Sequence, residues 1–458
     1  MTGLPLIIAF VLAVVVMIVA ISKFKVHPFL AIMGVSVLLA LVAGIPLVKT
    51  GDQNGIADVI GAGFSGTFSS IGIVIILGAL IGSILEQTGA ALKLADMVVK
   101  LVGKKNPELA VELMGWVVSI PVFCDSGFVI LDPIRKALVK RTGTSSVAMT
   151  VALSAGLYVS HVFIPPTPGP IAAASTLGIG DNLLLVMGLG VLCSIFPLAA
   201  GLIFAKFIGK KVKSADELAQ SDAVVKSYEE LVAEYGKLPG GFNALAPIIV
   251  PVILMALGTI GKQVGITGGL LNLLSFLGTP IIALAVGTIF AIAQLAAAKK
   301  MGDFYAITND TLKTVGPILF VTAAGGVLGK VISSTSMVSY ITENANFLMD
   351  LGIFFPFLLA AILKTAQGSS TVAITTTAGI MAPLMASLGL GTPVMGALTV
   401  MAIGAGAMTV SHANDSYFWV VTNFGDMTPD QGYKTQTVLT LVMGIASIIG
   451  IFLVSLIF

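Results

Sequence analysis

The feature that most constrains this chain is a series of long stretches without a single charged residue. Each is longer than the roughly 20 residues that a helix needs to cross a bilayer. Their apolar residues do not alternate with polar ones, as the strands of a membrane barrel would require. The sequence therefore predicts an all-α polytopic membrane protein. The uncharged stretches are 1–22, 26–48, 59–85, 142–180, 182–205, 238–261, 263–298, 365–414 and 435–458.

Composition agrees with this class and excludes others. Only 10% of residues are charged, against about 25% in a soluble domain, so the lipid bilayer is the expected surrounding. A net charge of +2 predicts no nucleic-acid partner. Cys124 and Cys193 have no metal-ligand spacing, and neither metal nor cofactor is expected. The first stretch lacks a basic n-region and a small-residue cleavage site, which favours a retained helix.

Basic residues set the expected orientation, because Lys and Arg concentrate in cytoplasmic loops. With Met1 outside, the basic clusters at 93–105 and 135–141 both lie inside. The segment between them is too short for two spans. It is therefore predicted to enter and leave by the same face as a re-entrant hairpin, 106–141. The charged segment 209–242 is predicted to be a cytoplasmic linker.

The two sides of this linker follow one plan. The first repeat, 1–208, is predicted to contain scaffold helices (1–86), the hairpin and a broken helix (145–180). The second repeat, 243–458, would contain a hairpin at 351–387 and a broken helix at 394–425. Each repeat has about five transmembrane helices, and since the linker is inside, the second starts from the opposite side. The sequence thus predicts two inverted repeats.

Both broken helices contain the tripeptide Val-Ser-His. The first reads VSHVFIPPTPGP (159–170) and the second VSHAND (410–415). Proline stops a helix by removing backbone donors, and Asn-Asp disfavours its continuation. Irregular backbone inside a membrane is tolerated where it lines a cavity. Paired broken helices and hairpin tips in two halves therefore indicate the binding site of a transporter.

The hairpin tips carry hydroxyl and glycine residues that suit an anion, because free N–H groups at a helix start bind carboxylates. The alternative is that Ser and Thr only cap helices. The histidines could bind substrate hydroxyls, or be structural hydrogen-bonding groups. The candidate substrate-binding residues are Ser126, Gly127, His161, Thr167, Gly368, Ser369, Ser370, Thr371, His412 and Asn414.

Two acids are candidates for proton coupling, since intramembrane acids are functional by default. Asp415, at the second helix break, is the first choice, and Asp125, at the first tip, is the second. A low-dielectric setting favours the neutral form of a carboxylic acid. The alternative for Asp415 is a helix cap. Lys364 could either balance a bound anion or pair with an acid as a structural bridge.

Catalytic and nucleotide-binding motifs do not occur. The sequence contains no HExxH, no GxSxG and no Walker sequence. An intramembrane enzyme is therefore not expected, and the chain has no nucleotide-binding motif that could drive transport with ATP. A channel is a further alternative, since Gly-rich broken helices could line a pore. It would show neither saturation nor counterflow.

Four motifs in order resemble those of the gluconate permease family. They are PVFCDSGFVILDPI (121–134), HVFIPPTPGPIAAA (161–174), AQGSSTVAITTTAGI (366–380) and SHANDSYFWVVTNFGDM (411–427). The resemblance implies a gluconate:proton symporter of the ion transporter superfamily in the bacterial inner membrane. It also implies a homodimer with an elevator motion. Its partners would be protons and a small hydroxy-carboxylate. One branch of that family carries D-serine, which is the alternative substrate.

Overall fold

The fold was analysed in a computed structural model, which describes residues 2–102, 106–218, 238–263, 267–337, 339–340, 351–412 and 415–458. These residues form helices and connecting loops, and no strand occurs within them. The prediction of an all-α chain is confirmed. Most of the central linker, 219–237, lies outside the described residues.

Ten helices lie in the described residues up to 218. They are α1 (Leu4–Ser22), α2 (Pro28–Ala43), α3 (Ile56–Gln87), α4 (Ala90–Val102), α5 (Pro107–Val118), α6 (Cys124–Thr142), α7 (Ser146–Phe163), α8 (Pro168–Thr176), α9 (Leu183–Ile208) and the short α10 (Ala215–Leu218).

Ten more helices follow the central linker within the described residues. They are α11 (Gly241–Gln263), α12 (Gly268–Gly278), α13 (Pro280–Ala297), α14 (Phe304–Ser333), α15 (Phe354–Gln367), α16 (Ser370–Met381), α17 (Pro393–Met408), α18 (Ser416–Phe424), the short α19 (Pro429–Gly432) and α20 (Val438–Ser455).

Eight helical segments of the described chain are long and apolar enough to cross a membrane. They differ in how deeply they are buried. The segment Ser146–Thr176, which holds α7 and α8, is buried along the whole of its most apolar window, whereas only 11% of Leu4–Ile21 is buried. The first broken segment therefore lies at the centre of the protein. Helix α1 lies at its periphery, where its leucines and valines can face lipid.

Glycines let the central helices approach closely. Helix α7 packs along α5, and α16 packs along α14. A Cβ atom on Gly156 would collide with the carbonyl of Glu112, and one on Gly379 would collide with the carbonyl of Gly325. Helices in lipid have no hydrophobic driving force for association, so they depend on close packing. Small residues at the contacts let the backbones approach closely enough for it. The two hairpins are thereby held against the helices behind them.

The first helix break lies at residues 164–167. Helix α7 ends where Pro165 and Pro166 offer no N–H to the preceding turn. Thr167 Oγ1 donates to the carbonyl of Ile164 at 2.7 Å, and α8 restarts with Pro168 at its first position. Proline is well suited to a first helical position, where its missing donor would have no partner anyway.

The second helix break lies between α17 and α18, and tertiary contacts hold it. Val410 has a φ of 59°, a left-handed conformation that costs a β-branched residue roughly 1–3 kcal/mol. The backbone N–H of Ser411 donates to Thr440 Oγ1 at 2.9 Å, and Thr437 Oγ1 donates to the carbonyl of Ser411 at 2.6 Å. The N-cap and first turn of α20 thus supply the hydrogen bonds that a continuous helix would have made internally.

Candidate functional site

A cavity of about 330 Å³ lies where helix starts from both halves of the chain meet. It is lined by the first turns of α6, α16 and α18, the end of α7, helix α14 and the start of α2. Its lining residues are His27, Pro28, Phe123, Cys124, Asp125, Ser126, His161, Thr314, Pro317, Ile318, Val321, Ser369, Ser370, Thr371, Val372, Asp415, Ser416 and Tyr417.

The structure brings most of the predicted site residues together on this cavity. Seven of them line it: Asp125, Ser126, His161, Ser369, Ser370, Thr371 and Asp415. They come from four separate segments of the sequence. Their common position makes this cavity the candidate site, while their roles in binding and coupling stay predictions.

Four of the other predicted residues do not line the cavity. Gly127 lets α6 approach Leu157 of α7, and Thr167 bonds the carbonyl that ends α7. Gly368 has a φ of 90° and ends α15. The Nε2 atom of His412 lies 3.0 Å from the carbonyl oxygen of Thr365. Each of these four makes a contact that supports the local fold. Asn414 lies outside the described residues.

Three of the helix N-termini that line the cavity come from the hairpin tips and the second helix break, and they differ in charge. Helix starts carry a partial positive charge that attracts anions. In α6, Asp125 stands in the first turn. In α18, Asp415 is the N-cap and accepts from the N–H of Tyr417 at 3.1 Å. The first turn of α16 contains no acid, and its N-cap is Ser369. Among the three, only the α16 start is left without a carboxylate of its own.

Asp415 is also half of a buried ion pair. Its Oδ2 atom lies 2.6 Å from Nζ of Lys364, whose side chain is completely buried. The same oxygen accepts from Ser411 Oγ at 2.6 Å and faces the hydroxyl of Tyr158 at 3.5 Å. Lys364 donates as well to the carbonyl oxygen of Gly368. The pair therefore ties the second hairpin to the second helix break, directly behind the cavity wall.

Asp125 has a different environment from Asp415. Its Oδ1 atom accepts from Ser416 Oγ at 3.2 Å, and Cys124 Sγ lies 3.6 Å from its Oδ2 atom. No ion pair joins it to a Lys or Arg among the residues that the structure describes. It links the first tip to the start of α18 and leaves an uncompensated carboxylate at the cavity.

His161 lines the cavity, and one of its ring nitrogens is buried. Its ring is buried beside Phe123, with ring centres 5.9 Å apart. Within the described part of the chain, its Nδ1 atom has no hydrogen-bond partner. Buried polar groups are normally satisfied, so a ligand hydroxyl or a water molecule in the cavity is the natural partner for this nitrogen.

Two further cavities lie near opposite ends of α14. One of about 360 Å³ shares Phe123, Ser126 and Thr314 with the central cavity and is lined by the acids Glu86, Asp303 and Asp310. The other, of about 290 Å³, is lined by glycines of α3 and α14 together with Lys330. We call them the acidic vestibule and the basic vestibule.

Several lining residues were missed by the sequence analysis. His27, Thr314, Ser416 and Tyr417 line the cavity, and Tyr158 stands behind Asp415. Ser416 and Tyr417 follow directly after the second break, which could have marked them. His27 and Thr314 lie far from any motif, and only the packing of α2 and α14 brings them to the site.

A bundle of membrane-crossing helices around a polar cavity, built from helix breaks, defines a multi-pass membrane permease. The sequence model of the GntP family permease matches residues 4–457. The chain belongs to this family, and the prediction from its motifs is confirmed. It is a multi-pass protein of the inner membrane.

Curated relatives agree over nearly the whole chain. The inner membrane permease YgbN of Escherichia coli is 32% identical, with 94% of each chain covered. The low-affinity gluconate transporter of the same organism is 31% identical, with 98% of each chain covered. The crystal structure of the Alcanivorax borkumensis YdaH transporter has a similar fold, with a TM-score of 0.63 and 16% identity. It covers 94% of this chain and 97% of its own.

Proposed function

We propose that this permease imports gluconate or a related small hydroxy-carboxylate by proton symport. The observation that carries the proposal is the unbalanced start of α16 on the cavity wall. Of the three helix starts that come from the hairpin tips and the second break, two already hold a carboxylate from the protein. The third holds none, so a substrate carboxylate is the group that completes the set.

The carboxylate is placed at Ser369, Ser370 and Thr371. The first N–H groups of a helix have no partner inside it, and the serine and threonine hydroxyls lie beside them on the cavity wall. A hydrogen bond to a charged group contributes roughly 1.5–3 kcal/mol. Gly368 shapes this tip, and His412 and Thr167 are assigned supporting roles around the site.

The hydroxyl-bearing tail of the substrate is placed toward the first tip. Asp125, Ser126 and His161 offer hydrogen-bonding atoms on that side of the cavity. The orphaned Nδ1 of His161 is suited to one hydroxyl and the Asp125 carboxylate to another. A polyhydroxy acid would therefore lie across the cavity, with its charge at α16 and its hydroxyls at α6.

Proton coupling follows from the charge of such a substrate. Moving one negative charge into a cell with a negative interior costs about 2.3 kcal/mol per 100 mV. Accumulation therefore needs a cotransported cation, and Asp415 is the proposed proton carrier because it is buried at the cavity and at a helix break. Asp125 remains the second candidate.

The proposal includes an elevator motion between two inverted repeats, 1–208 and 243–458. Helix α14 lines the cavity together with the hairpin tips and the broken helices. A body made of the hairpins and broken helices could carry the substrate past α14, from the basic to the acidic vestibule. The homodimer is an expectation from the family resemblance.

A D-serine carrier is the second candidate function. The observation in its favour is Asp125, a cavity-facing carboxylate with no ion-paired Lys or Arg in the described structure. The ammonium group of an amino acid would pair with it, while the amino-acid carboxylate would occupy the start of α16. Both candidates thus use the same anion site and differ at the first tip.

Uptake into proteoliposomes separates these candidates. We expect labelled gluconate to accumulate when the outside is more acidic than the inside, and to be displaced by other hydroxy acids. D-Serine should compete poorly. Strong competition by D-serine and none by hydroxy acids would favour D-serine transport over gluconate transport. Non-saturating flux without counterflow would instead indicate a channel.

A further inference from the structure

Lys364 is the most deeply buried cation next to the site, yet it does not line the cavity. Its side chain is inaccessible to solvent and lies 2.6 Å from Asp415. Asp415 itself does line the cavity, together with the first turn of α16. The ammonium group therefore stands one layer behind the place proposed for the substrate carboxylate.

The pair lies where the proposed anion site is built. Lys364 belongs to α15, and its ammonium also donates to the carbonyl of Gly368, the residue that turns the chain into α16. Asp415 caps α18. A buried pair is in general weak evidence for stability. The pair lies between a helix break and the proposed anion-binding helix start, and this position points to a role in transport.

The charges of this region do not allow an anion to enter by itself. With Asp415 ionised, its charge and that of Lys364 cancel, and Asp125 adds one negative charge nearby. A substrate anion would then add a second uncompensated negative charge in a low-dielectric setting, which is costly. A proton on Asp415 removes one negative charge and leaves the charge of Lys364 unbalanced.

We propose that Lys364 is the counter-charge of the substrate carboxylate. Protonation of Asp415 releases Lys364 from its ion pair with this acid, and Lys364 then pairs with the substrate carboxylate. This inference rests on the proposed function and deepens it. One proton and one monoanion enter together, the buried charge is the same before and after, and neither is bound well without the other. The exchange moves a proton between water and Asp415 and breaks no covalent bond.

The surroundings of Asp415 suit both protonation states. Ser411 and Tyr158 present hydroxyls, at 2.6 and 3.5 Å, that can donate to a carboxylate or reorient toward a carboxylic acid. Other titratable groups also face this region from the packed elements. They are Cys124 and Asp125 on α6, His161 on α7, His412 before α18 and Tyr417 on α18.

Equilibrium binding of labelled gluconate to the purified full-length protein, measured from pH 5.5 to 8.5, tests the exchange. In the wild type, affinity should fall with rising pH, approaching tenfold per unit where one proton is coupled. Asp415→Asn should bind at every pH with little change, because Lys364 is always available. Lys364→Gln should weaken binding at least tenfold at low pH.

The double variant Lys364→Gln/Asp415→Asn keeps the region neutral and gives the decisive comparison. It should be weak and independent of pH. A purely structural ion pair predicts that the double variant recovers wild-type affinity together with its pH dependence, and that result would overturn the proposal. So would an Asp415→Asn protein whose binding still follows pH as the wild type does.

The ion pair of Asp132 and Arg135 is a matched control, because it is equally buried, 2.7 Å long and away from the cavity lining. Asp132→Asn/Arg135→Gln should change the thermal unfolding temperature but leave the pH dependence of binding intact. If the wild type binds no hydroxy acid at any pH, the proposed function fails and the exchange is rejected with it. If it binds without any pH dependence, only the exchange is rejected.

Discussion

The two hairpin tips meet at one cavity but differ in charge. The first tip brings Asp125, whose carboxylate has no ion-paired cation in the described structure. The second brings Ser369, Ser370 and Thr371, with no acid in its helix start and with Lys364 behind it. Both tips place a positive helix end at the same cavity, and only one of them leaves that end without an acid.

This difference in charge makes the two tips unequal as binding sites for an anion. A helix dipole that already faces its own carboxylate has little attraction left for an anion, whereas an unbalanced one retains it. Under the proposed function, the substrate charge lies at the second tip and its neutral or cationic groups lie at the first. The vestibules differ in the same sense, with acids in one and Lys330 in the other.

The largest expected effect concerns the sides from which the hairpins enter. With Cys124 and Cys193 replaced by alanine, Lys140→Cys should react with an impermeant thiol reagent only from the cytoplasm. Ala386→Cys should react only from outside. Both positions are exposed, so labelling is expected to be nearly complete or absent. Labelling of both from one side would contradict opposed hairpins and the inverted repeat.

A carboxylate at the second tip should abolish the contrast between the tips. Ser370→Asp would place a negative charge about 4 Å from the substrate carboxylate, a repulsion of about 4 kcal/mol at an effective dielectric constant of 20. Affinity for gluconate should fall by about a thousandfold. Ser370→Asn is the matched neutral control and should lose far less. Equal affinities in the two variants would show that the substrate carboxylate does not bind at this tip.

Neutralising the first tip should have a smaller effect that depends on the substrate. Asp125→Asn keeps a hydrogen-bond acceptor, so a hydroxy acid should lose only about 1 kcal/mol, the difference between a charged and a neutral hydrogen bond. An amino acid would lose its ammonium partner and nearly all its affinity. Competition binding with gluconate and D-serine measures both. A loss of gluconate binding as large as that of Ser370→Asp would show that the charge assignment is wrong.

The smallest expected effect lies in the basic vestibule. Lys330→Gln should lower the initial rate of uptake a few-fold at low ionic strength, because an exposed charge steers an anion toward the cavity. The difference should vanish in about 0.5 M salt, where screening is short-ranged. Affinity at equilibrium should hardly change. A rate defect that persists at high salt would indicate direct contact rather than steering.

The sequence by itself determined the membrane class, the family and seven of the residues that line the cavity. Hydropathy and charge act locally, so stretches without charges are enough to define spanning helices. Prolines act on their own turn, and the first break at 164–167 follows from Pro165 and Pro166 alone. The hairpin tips were predicted for the same reason, since glycine, serine and acidic residues act on the helix start at which they stand.

Tertiary structure decided which of these residues face the cavity and which partners they have. Gly127 and Thr167 belong to the same motifs as Ser126 and His161, yet only the latter two line the cavity, because a motif does not specify which of its neighbouring side chains point outward. The structure shows which acid Lys364 pairs with, Asp415, a partner that the sequence did not specify. Tyr158 is 257 residues from Asp415 in the chain.

The physical reason is the range of the interactions. Helix formation and helix breaking depend on neighbours within a few residues, which the sequence displays directly. Ion pairing and cavity shape depend on helices far apart in the chain, and their mutual distances arise from packing over the whole bundle. The second break illustrates this, because Val410 keeps its left-handed backbone where Thr437 and Thr440, beyond α18, bond to Ser411.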